Sequence, residues 1–366
     1  MAEPIQILCV AGARPNFMKL APLFREFAKD SRIAATLLHT GQHYDDRMSA
    51  CFLHDLGLPA PKYNLAVNRG SNVHQIAEIM SRFEPVLMSE NPSAVLVVGD
   101  VNSTVACALT AKKLGFFLIH VEAGLRSFDR SMPEEINRLV TDAIADLLLV
   151  SEESGVRNLA NEGIPPEKIR LVGNLLIDSL HYHLPQSKKS EIVSHLGLDG
   201  QKFGVVTLHR PANVDHPEQF DEILGALSEI SQDTPLVFPV HPRTRGHLNN
   251  RNLGQRIQLC DPLGYIDFLS LMSNSAVVLT DSGGIQEETT ALGIPCLTLR
   301  NNTERPATVE QGTNRLAGTT RANILRAWHE MRTTPRPSAI PKFWDGKSAA
   351  RCVEAIRATA THKGPV

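Results

Sequence analysis

The sequence lacks an excess of cationic residues. Its 366 residues carry 37 Lys and Arg against 39 Asp and Glu, which gives a formal net charge of -2. Proteins that bind a nucleic-acid backbone normally carry a basic surplus. We therefore expect no nucleic-acid partner, and we expect any anion to be bound by a local cluster of residues.

Long apolar segments and paired cysteines are missing as well. No apolar run reaches the roughly 20 residues that a membrane-spanning helix needs, and the chain enters its first apolar run at Ile5 without a signal-like segment. We therefore expect an unprocessed, cytoplasmic protein with no membrane partner. The cysteines show no CxxC pair, and several lie in apolar runs, which also favours a reducing compartment. They are Cys9, Cys51, Cys107, Cys260, Cys296 and Cys352.

The length suits two domains, each with its own core. Short apolar runs alternate with helical patterns, which is typical of a parallel α/β sheet. The pattern restarts after a polar stretch at 186–190, so we predict two doubly wound α/β domains that face a central cleft. The predicted strands cover 5–10, 34–38, 94–98, 117–119, 147–150 and 169–172, then 203–208, 236–240, 257–259, 276–280 and 295–299.

Ligands of such sheets bind beyond the carboxyl ends of the strands, where two familiar motifs are missing. Neither GxGxxG nor GxxxxGK[ST] is present, so a nicotinamide or ATP mechanism is not favoured. The strand over 276–280 is followed instead by Asp281-Ser282-Gly283-Gly284 at a helix start, where glycines and unpaired N–H groups suit a diphosphate. The alternative is a tight turn with Asp281 or Ser282 as the N-cap.

Charged residues accompany both loops. Glu287 and Glu288 lie one turn into this second-domain helix, where one carboxylate can accept from a ribose diol. Alternatively, both simply favour the helix dipole. Arg14 and Lys19 lie near the first helix start and are candidates for anion or uracil-side contacts; the alternative is an exposed surface pair.

Three carboxylates follow separate strands of the first domain: Asp100, Glu122 and Glu134. Pro133 suits the first position of a helix, so Glu134 and Arg138, four residues apart, share a face and are expected to pair. Carboxylates in different environments are what acid/base chemistry requires. The alternatives are helix capping for the outer two acids and a structural pair with Arg126 for Glu122.

Polar residues also follow the strands of the second domain. His209 and Arg210 come after its first strand and His241 after the next, and we expect them to donate to phosphate. The histidines and cysteines lack zinc-ligand spacing, so no metal is expected. Phe268 is a candidate for stacking on a base, with a core position as the alternative.

Seven motifs in chain order resemble the non-hydrolysing UDP-N-acetylglucosamine 2-epimerases. Together they span nearly the whole chain and are far more specific than any one of them. They are GARP (12–15), GD (99–100), HVEAGLR (120–126), PEEINR (133–138), GN (173–174), DSGGIQEE (281–288) and TERP (303–306).

This resemblance implies a glycosyltransferase-B-like fold, a homodimer and a reaction without cofactor. The domains are then 1–175, joined by a returning C-terminal helix at about 350–366, and 176–349. The implied reaction interconverts UDP-GlcNAc and UDP-ManNAc by eliminating UDP to a 2-acetamidoglucal and adding it back. Alternatives are a 2-epimerase of another UDP-2-acetamido sugar, such as a diacetamido uronic acid or fucosamine precursor, and a UDP-sugar glycosyltransferase of the same fold.

The resemblance also implies roles for individual residues. Asp100, Glu122 and Glu134 match the catalytic carboxylates, and Arg138 and His209 match residues that support the reacting sugar and phosphate. The loop after the first strand has Asn16 where bacterial members carry Glu, and Gln42-His43 matches a region where they bind an activating second substrate, although Tyr44 replaces their usual Arg. Residues matching UDP-sugar contacts are Arg14, Lys19, Phe268, Ser282, Gly283, Gly284, Glu288 and Arg305.

Overall fold

The computed structural model describes residues 3–41, 53, 56–67, 70–248, 251, 253–334 and 338–360. Its contacts divide the chain into two compact units. The first contains the residues up to Ser179 and those from Lys342 onward, and the second runs from Leu180 to Pro341. The division therefore falls four residues after the expected boundary at 175, and the return to the first unit begins before residue 350.

The first unit contains a seven-stranded sheet in which all neighbouring strands are parallel. Its strands are β1 (Ile5–Ala11), β2 (Ile33–His39), β3 (Tyr63–Asn64), β4 (Ala94–Val98), β5 (Phe117–Ala123), β6 (Leu147–Val150) and β7 (Ile169–Leu171). They lie in the order β3-β2-β1-β4-β5-β6-β7. The order reverses between β1 and β4, and such a switch point creates a ligand site beyond the strand ends.

The second unit repeats this plan with six parallel strands. They are β8 (Gly204–Thr207), β9 (Leu236–Pro239), β10 (Ile257–Cys260), β11 (Val277–Thr280), β12 (Cys296–Thr298) and β13 (Asn314–Leu316). Their order is β10-β9-β8-β11-β12-β13, so the switch point lies between β8 and β11. The loops after these two strands carry His209 and Asp281.

Helices connect the strands, and prolines occupy the first turn of several of them, where a missing N–H costs nothing. The helices are α1 (Arg14–Phe27), α2 (Asn72–Glu90), α3 (Asn102–Lys113), α4 (Pro133–Ile144), α5 (Glu153–Asn161), α6 (Leu175–Ser187), α7 (Ile192–His195), α8 (Pro211–Val214), α9 (Pro217–Asp233), α10 (Pro242–Leu248), α11 (Tyr265–Ser273), α12 (Gly283–Leu292), α13 (Pro306–Glu310), α14 (Arg321–Thr333) and α15 (Ser348–Ala360). A 3-10 turn covers Pro166–Lys168. Among the described residues, no helix is both long and apolar enough to cross a membrane.

Each unit has its own apolar core. In the first, Phe83, Val95 and Leu148 belong to a cluster in which helices cover the sheet. In the second, Phe220 and Leu279 belong to the corresponding cluster. The central strands are buried on both faces, which is why they appear in the sequence as continuous apolar runs.

The final helix α15 belongs to the first unit, where it lies against α1. Its first backbone N–H groups, those of Ser348 and Ala349, donate to the carboxylate of Asp178 at 3.0 and 2.7 Å. The buried indole of Trp344 donates to the carbonyl of Ser151 at 3.0 Å. These bonds tie the end of the described chain to a unit that begins more than 300 residues earlier.

Candidate active site

Asn16 organises the loop that follows β1. Its Oδ1 accepts from the backbone N–H groups of Gly12 and Ala13 at 3.0 and 2.9 Å, and its Nδ2 donates to the carbonyl of Val98 at 2.9 Å. A side chain at position 12 is excluded because its Cβ would lie 2.1 Å from the Oγ of Ser103. The ends of β1 and β4 are thereby locked together at the switch point.

Glu122 lies in a bulge of β5, where the pairing with β6 shifts register. Its backbone φ of 69° is left-handed, a strained conformation for a residue with a side chain. Its Oε2 contacts the ammonium of Lys19, and both side chains are buried. The expected alternatives are therefore wrong at two positions: Glu122 does not pair with Arg126, and Lys19 is not an exposed surface cation. Arg14, by contrast, is exposed.

Arg126 is instead committed to Asp142 and Glu162, at 2.7 and 2.6 Å. The fully buried Asp142 also accepts from the Nδ1 of His120 at 2.6 Å and from the backbone N–H of Gly124 at 3.0 Å. Burial alone would raise the pKa of Asp142, but His120 and Arg126 hold it below its usual range. This network lies directly beneath the bulge that carries Glu122.

Arg138 does not pair with Glu134 as the four-residue spacing suggested. Its guanidinium contacts Glu135 at 2.6 Å and Asp100 at 2.5 Å, while Glu134 is exposed at the start of α4. Glu135 is preferred because it is buried one turn before Arg138, and its carboxylate also accepts from the backbone N–H groups of Ser127 and the following residue, at 2.9 Å each.

Asp100 is therefore a half-buried carboxylate paired with a buried guanidinium, and Asn137 donates to its backbone carbonyl at 2.8 Å. The neighbouring Gly99 has a φ of 69°, and a Cβ there would lie 3.2 Å from the Oε2 of Glu122. The structure thus brings Asp100, Glu122, Lys19 and Arg138 together at the switch point of the first unit. Glu134 begins a helix at the same sheet edge.

In the second unit, Asp281 fastens the end of β11 to the end of β8. Its fully buried carboxylate accepts from the backbone N–H of Arg210 at 3.0 Å and from the amide of Asn213 at 3.2 Å. The Nδ1 of His209 lies 3.0 Å from its Oδ1. Burial would raise the pKa of Asp281, but His209 and the N–H donors hold it below its usual range. The His209 side chain remains half exposed.

Ser282 occupies the N-cap position of α12, yet its side chain makes no capping hydrogen bond. Asp281 is turned toward β8, so neither residue caps the helix through its side chain as the turn alternative required. Gly283 and Gly284 form the first turn and are partly exposed. The positive end of α12 is therefore free of a side-chain cap, as anion binding requires.

Glu304 is surrounded by three arginines. Its carboxylate contacts Arg300 at 2.7 Å, Arg210 at 3.5 Å and Arg305 at 3.9 Å. Arg305 in turn contacts Glu287 at 2.8 Å. Burial would raise the pKa of Glu304, but the three guanidinium charges hold it well below its usual range. The cluster has three cations for two carboxylates, beside the first turn of α12, where a Cβ on Gly283 would lie 2.9 Å from Glu304.

Glu288 is buried within α12. The hydroxyl of Tyr265 donates to its Oε1 at 2.8 Å, and the Tyr265 ring packs edge-on against the ring of His183 at 5.5 Å. Burial raises the pKa of Glu288 to about 7, with the Tyr265 hydrogen bond opposing the rise. Of the two adjacent glutamates, Glu287 thus forms an ion pair with Arg305, and Glu288 accepts a hydrogen bond from the phenol of Tyr265.

The remaining predicted residues are more scattered. Phe268 is half-buried on α11 and lies outside the second-unit core, and His241 is exposed after β9. Gln42 and His43 lie outside the described residues, so the structure gives no view of the region implied to bind an activating substrate. Within the described parts of the chain, no group of three or more metal-ligating side chains converges.

Four organising residues were not assigned these contacts from the sequence. Asn16 was noted only as a departure from bacterial members. Glu135 and Glu304 each lie next to a predicted site residue, and a carboxylate beside a helix start or an arginine was the available signal. Asp142 had no such signal, because its partners are brought to it only by the packing of α4 against β5.

Comparisons with known proteins agree with this arrangement. Residues 25–357 match the family model for UDP-N-acetylglucosamine 2-epimerase. The UDP-N-acetylglucosamine 2-epimerase of Methanocaldococcus jannaschii is 40% identical over 364 residues, covering 96% of this chain and 99% of that protein. A UDP-2,3-diacetamido-2,3-dideoxy-D-glucuronate 2-epimerase from Pseudomonas aeruginosa is 39% identical over 327 residues, covering 88% and 91%.

Solved structures extend the likeness. The crystal structure of the M. jannaschii enzyme with UDP-GlcNAc and UDP superposes with a TM-score of 0.89 at 40% identity, covering 96% of this chain and 99% of that one. Phytolacca americana UGT2, at 13% identity and a TM-score of 0.57 over 98% and 94% of the chains, shares only the fold. The predicted glycosyltransferase-B-like class of two doubly wound α/β units is confirmed. The chain belongs to the UDP-N-acetylglucosamine 2-epimerase family of isomerases.

Proposed function

We propose that this protein interconverts UDP-GlcNAc and UDP-ManNAc. The proposal rests on one observation above all: in a chain of this family, Asp100 and Glu122 converge at one switch point, each beside its own buried cation. The M. jannaschii relative, which is similar over nearly the whole chain, has been solved with UDP-GlcNAc and UDP.

The chemistry explains the need for paired carboxylates. The hydrogen at carbon 2 of the sugar is weakly acidic, so cleavage of the bond between carbon 1 and the UDP oxygen must lead the proton transfer. Loss of that proton gives a 2-acetamidoglucal and free UDP. Returning a proton to the opposite face of carbon 2, with re-addition of UDP at carbon 1, gives the epimer. One carboxylate is needed on each face.

In this proposal, Asp100, Glu122 and Glu134 are the proton-transferring groups. Arg138 lies 2.5 Å from Asp100 and offsets its negative charge. Lys19 has the same role beside Glu122 rather than contacting UDP directly. Glu134 and Arg14 are exposed, and we assign both to direct contact with the substrate.

The second unit is assigned the leaving group. The uncapped first turn of α12, at Ser282, Gly283 and Gly284, supplies N–H donors and a positive dipole end to the diphosphate. His209, Arg210, His241 and Arg305 add donors or positive charge. Glu288 is assigned to the ribose hydroxyls and Phe268 to the base. No cofactor is required, because neither carbon undergoes a net change in oxidation state.

A second candidate substrate is UDP-2,3-diacetamido-2,3-dideoxy-D-glucuronate. The P. aeruginosa 2-epimerase named for it is 39% identical to this chain, against 40% for the M. jannaschii enzyme, so identity does not separate the two. The alternative of a UDP-sugar glycosyltransferase is supported only by the similarity to Phytolacca americana UGT2. At 13% identity, that similarity concerns the fold alone.

We further propose that the enzyme is a cytoplasmic homodimer, as its family resemblance implies. Light scattering of the purified chain tests the dimer, with a monomer mass as the contrary result.

Substrate choice is tested by supplying the purified protein separately with each sugar nucleotide and following the anomeric proton by NMR. We expect UDP-GlcNAc to reach an equilibrium with UDP-ManNAc without added cofactor, and at a higher kcat/KM than the diacetamido uronate is epimerised. The reverse ranking would assign the second candidate. Turnover of neither sugar would contradict the proposed function.

A further inference from the structure

One fully buried carboxylate holds the backbone on both sides of Glu122. The Oδ1 of Asp142 accepts from the Nδ1 of His120 at 2.6 Å, and its Oδ2 accepts from the backbone N–H of Gly124 at 3.0 Å. These partners lie two residues before and two residues after Glu122. Asp142 itself comes from α4, so helix and strand are joined at this point.

The segment so held is strained. Glu122 has a φ of 69° and Gly124 a φ of 82°, and the pairing of β5 with β6 breaks between Val121 and Ala123. A left-handed residue with a side chain persists only where its surroundings fix it, and a bulge re-aims the side chain that it carries. The direction of the Glu122 carboxylate therefore depends on bonds that hold the bulge in shape.

The same network reaches the second carboxylate. The Nε2 of His120 lies 2.9 Å from the carbonyl oxygen of Gly99, the residue before Asp100. The two ring nitrogens of His120 therefore connect the carboxylate of Asp142 to the backbone beside Asp100. Arg126 connects Asp142 in turn to the exposed carboxylate of Glu162.

We propose that Asp142 is a positioning residue, which acts through His120 and Gly124 to hold Glu122 and Asp100 at their reacting distances. The inference rests on the proposed function, since it concerns the geometry of the same proton transfers. Asp142 touches no substrate. Its contribution is expected in the rate of the chemical step, because small misplacements of reacting groups cost far more rate than binding.

The opposite end of β5 offers a matched control. Asp146 is a carboxylate that accepts from the backbone N–H of Leu118 at 2.9 Å and pairs with Lys112 at 2.8 Å. It therefore makes the same kinds of bond, to a backbone N–H of β5 and to a cation, but at the amino end of the strand. A role limited to stability predicts similar behaviour for the two aspartates.

The test compares Asp142→Asn with Asp146→Asn in the full-length protein. Three quantities are measured: the thermal midpoint, the Kd of UDP by calorimetry, and kcat and KM for epimerisation. For Asp142→Asn we expect kcat to fall roughly 100-fold with the Kd of UDP within about twofold of wild type. Asp146→Asn should lower the midpoint but leave kcat within about twofold, since it lies away from the reacting groups.

A second variant keeps the test decisive if Asp142→Asn does not fold. His120→Phe keeps the ring volume and removes both bonds, and it should show the same loss of kcat with UDP binding retained. Retention of wild-type kcat in a folded Asp142→Asn or His120→Phe protein, or equal losses in Asp142→Asn and Asp146→Asn, overturns the inference. An inactive wild-type protein would instead refute the proposed function.

Discussion

The ammonium of Lys19 contacts the Oε2 atom of Glu122, and each residue is less than one-tenth exposed. A buried charge is costly unless an opposite charge lies beside it. The pair therefore links the first helix α1 to the bulge in β5 and offsets the cost of burying both groups.

Lys19→Met is expected to destabilise the protein by about 3–5 kcal/mol, because it leaves a buried carboxylate without its partner. Urea unfolding at neutral pH measures the loss. The double variant Lys19→Met, Glu122→Gln removes both charges and should recover part of it. Equal stabilities of Lys19→Met and wild type would show that the pair is not what keeps Glu122 in place.

Glu134 and Glu135 are adjacent, yet replacing each with glutamine should affect the stability of the protein differently. Glu135→Gln removes the buried ion pair with Arg138 and replaces one of the two oxygens that accept from backbone N–H groups with an NH2 group, so we expect a stability loss of about 2–3 kcal/mol as well as reduced kcat. Glu134→Gln lies at an exposed position and should change stability by less than about 0.5 kcal/mol, with kcat still reduced roughly 100-fold as expected of an acid/base group. Unchanged kcat in folded Glu134→Gln would remove it from the catalytic set.

Glu288 predicts a dependence of stability on pH. Burial raises its pKa from 4.5 to about 7, so between these values the folded protein keeps a proton that the unfolded chain releases. Its stabilising effect is full below pH 4.5 and is lost as the pH rises through 7, a change of about 3 kcal/mol. Glu288→Gln does not titrate. We expect the free energy of unfolding of Glu288→Gln to rise relative to that of wild type as the pH increases across this range. A difference that stays constant with pH would contradict the assignment.

Tyr265→Phe tests how the phenol supports Glu288. The Tyr265 hydroxyl lowers the pKa of Glu288, so its removal should raise that pKa further. If ionised Glu288 binds the ribose, UDP affinity in the variant should be weaker near pH 7 and recover at higher pH. Tyr182→Phe is the control, because the exposed Tyr182 ring packs edge-on against the same His183, and its UDP affinity should follow that of wild type. If the UDP affinity of wild type, Tyr265→Phe and Tyr182→Phe depended on pH in the same way, that result would argue against ribose binding by Glu288.

The sheets were predictable because their central strands are buried on both faces and so form continuous apolar runs in the sequence. All eleven predicted strands are present, with ends shifted by a few residues. The two that were not predicted, Tyr63–Asn64 and Asn314–Leu316, are only two and three residues long and contain polar side chains. Edge strands of this kind carry too little apolar pattern to be distinguished from loops.

Within the site, residues that follow strands were predictable, but the partners of their side chains were not. The glycine turn at Gly283 and the carboxylates Asp100 and Glu122 followed from positions after strands. The pairing of Glu134 with Arg138 was wrong because helical spacing alone allows both three and four residues, and burial selected Glu135. Pairings between distant segments depend on packing that no local pattern encodes.

In the proposed reaction, the carboxylates of the first unit exchange the proton on carbon 2 after UDP departs. Proton NMR of UDP-GlcNAc incubated with the protein in deuterated water tests it most directly. Wild type should place deuterium at carbon 2 of both epimers, and Asp100→Asn and Glu122→Gln should slow that incorporation at least roughly 100-fold. Epimer formation with the carbon 2 hydrogen retained, or undiminished exchange in both variants, would contradict the claim.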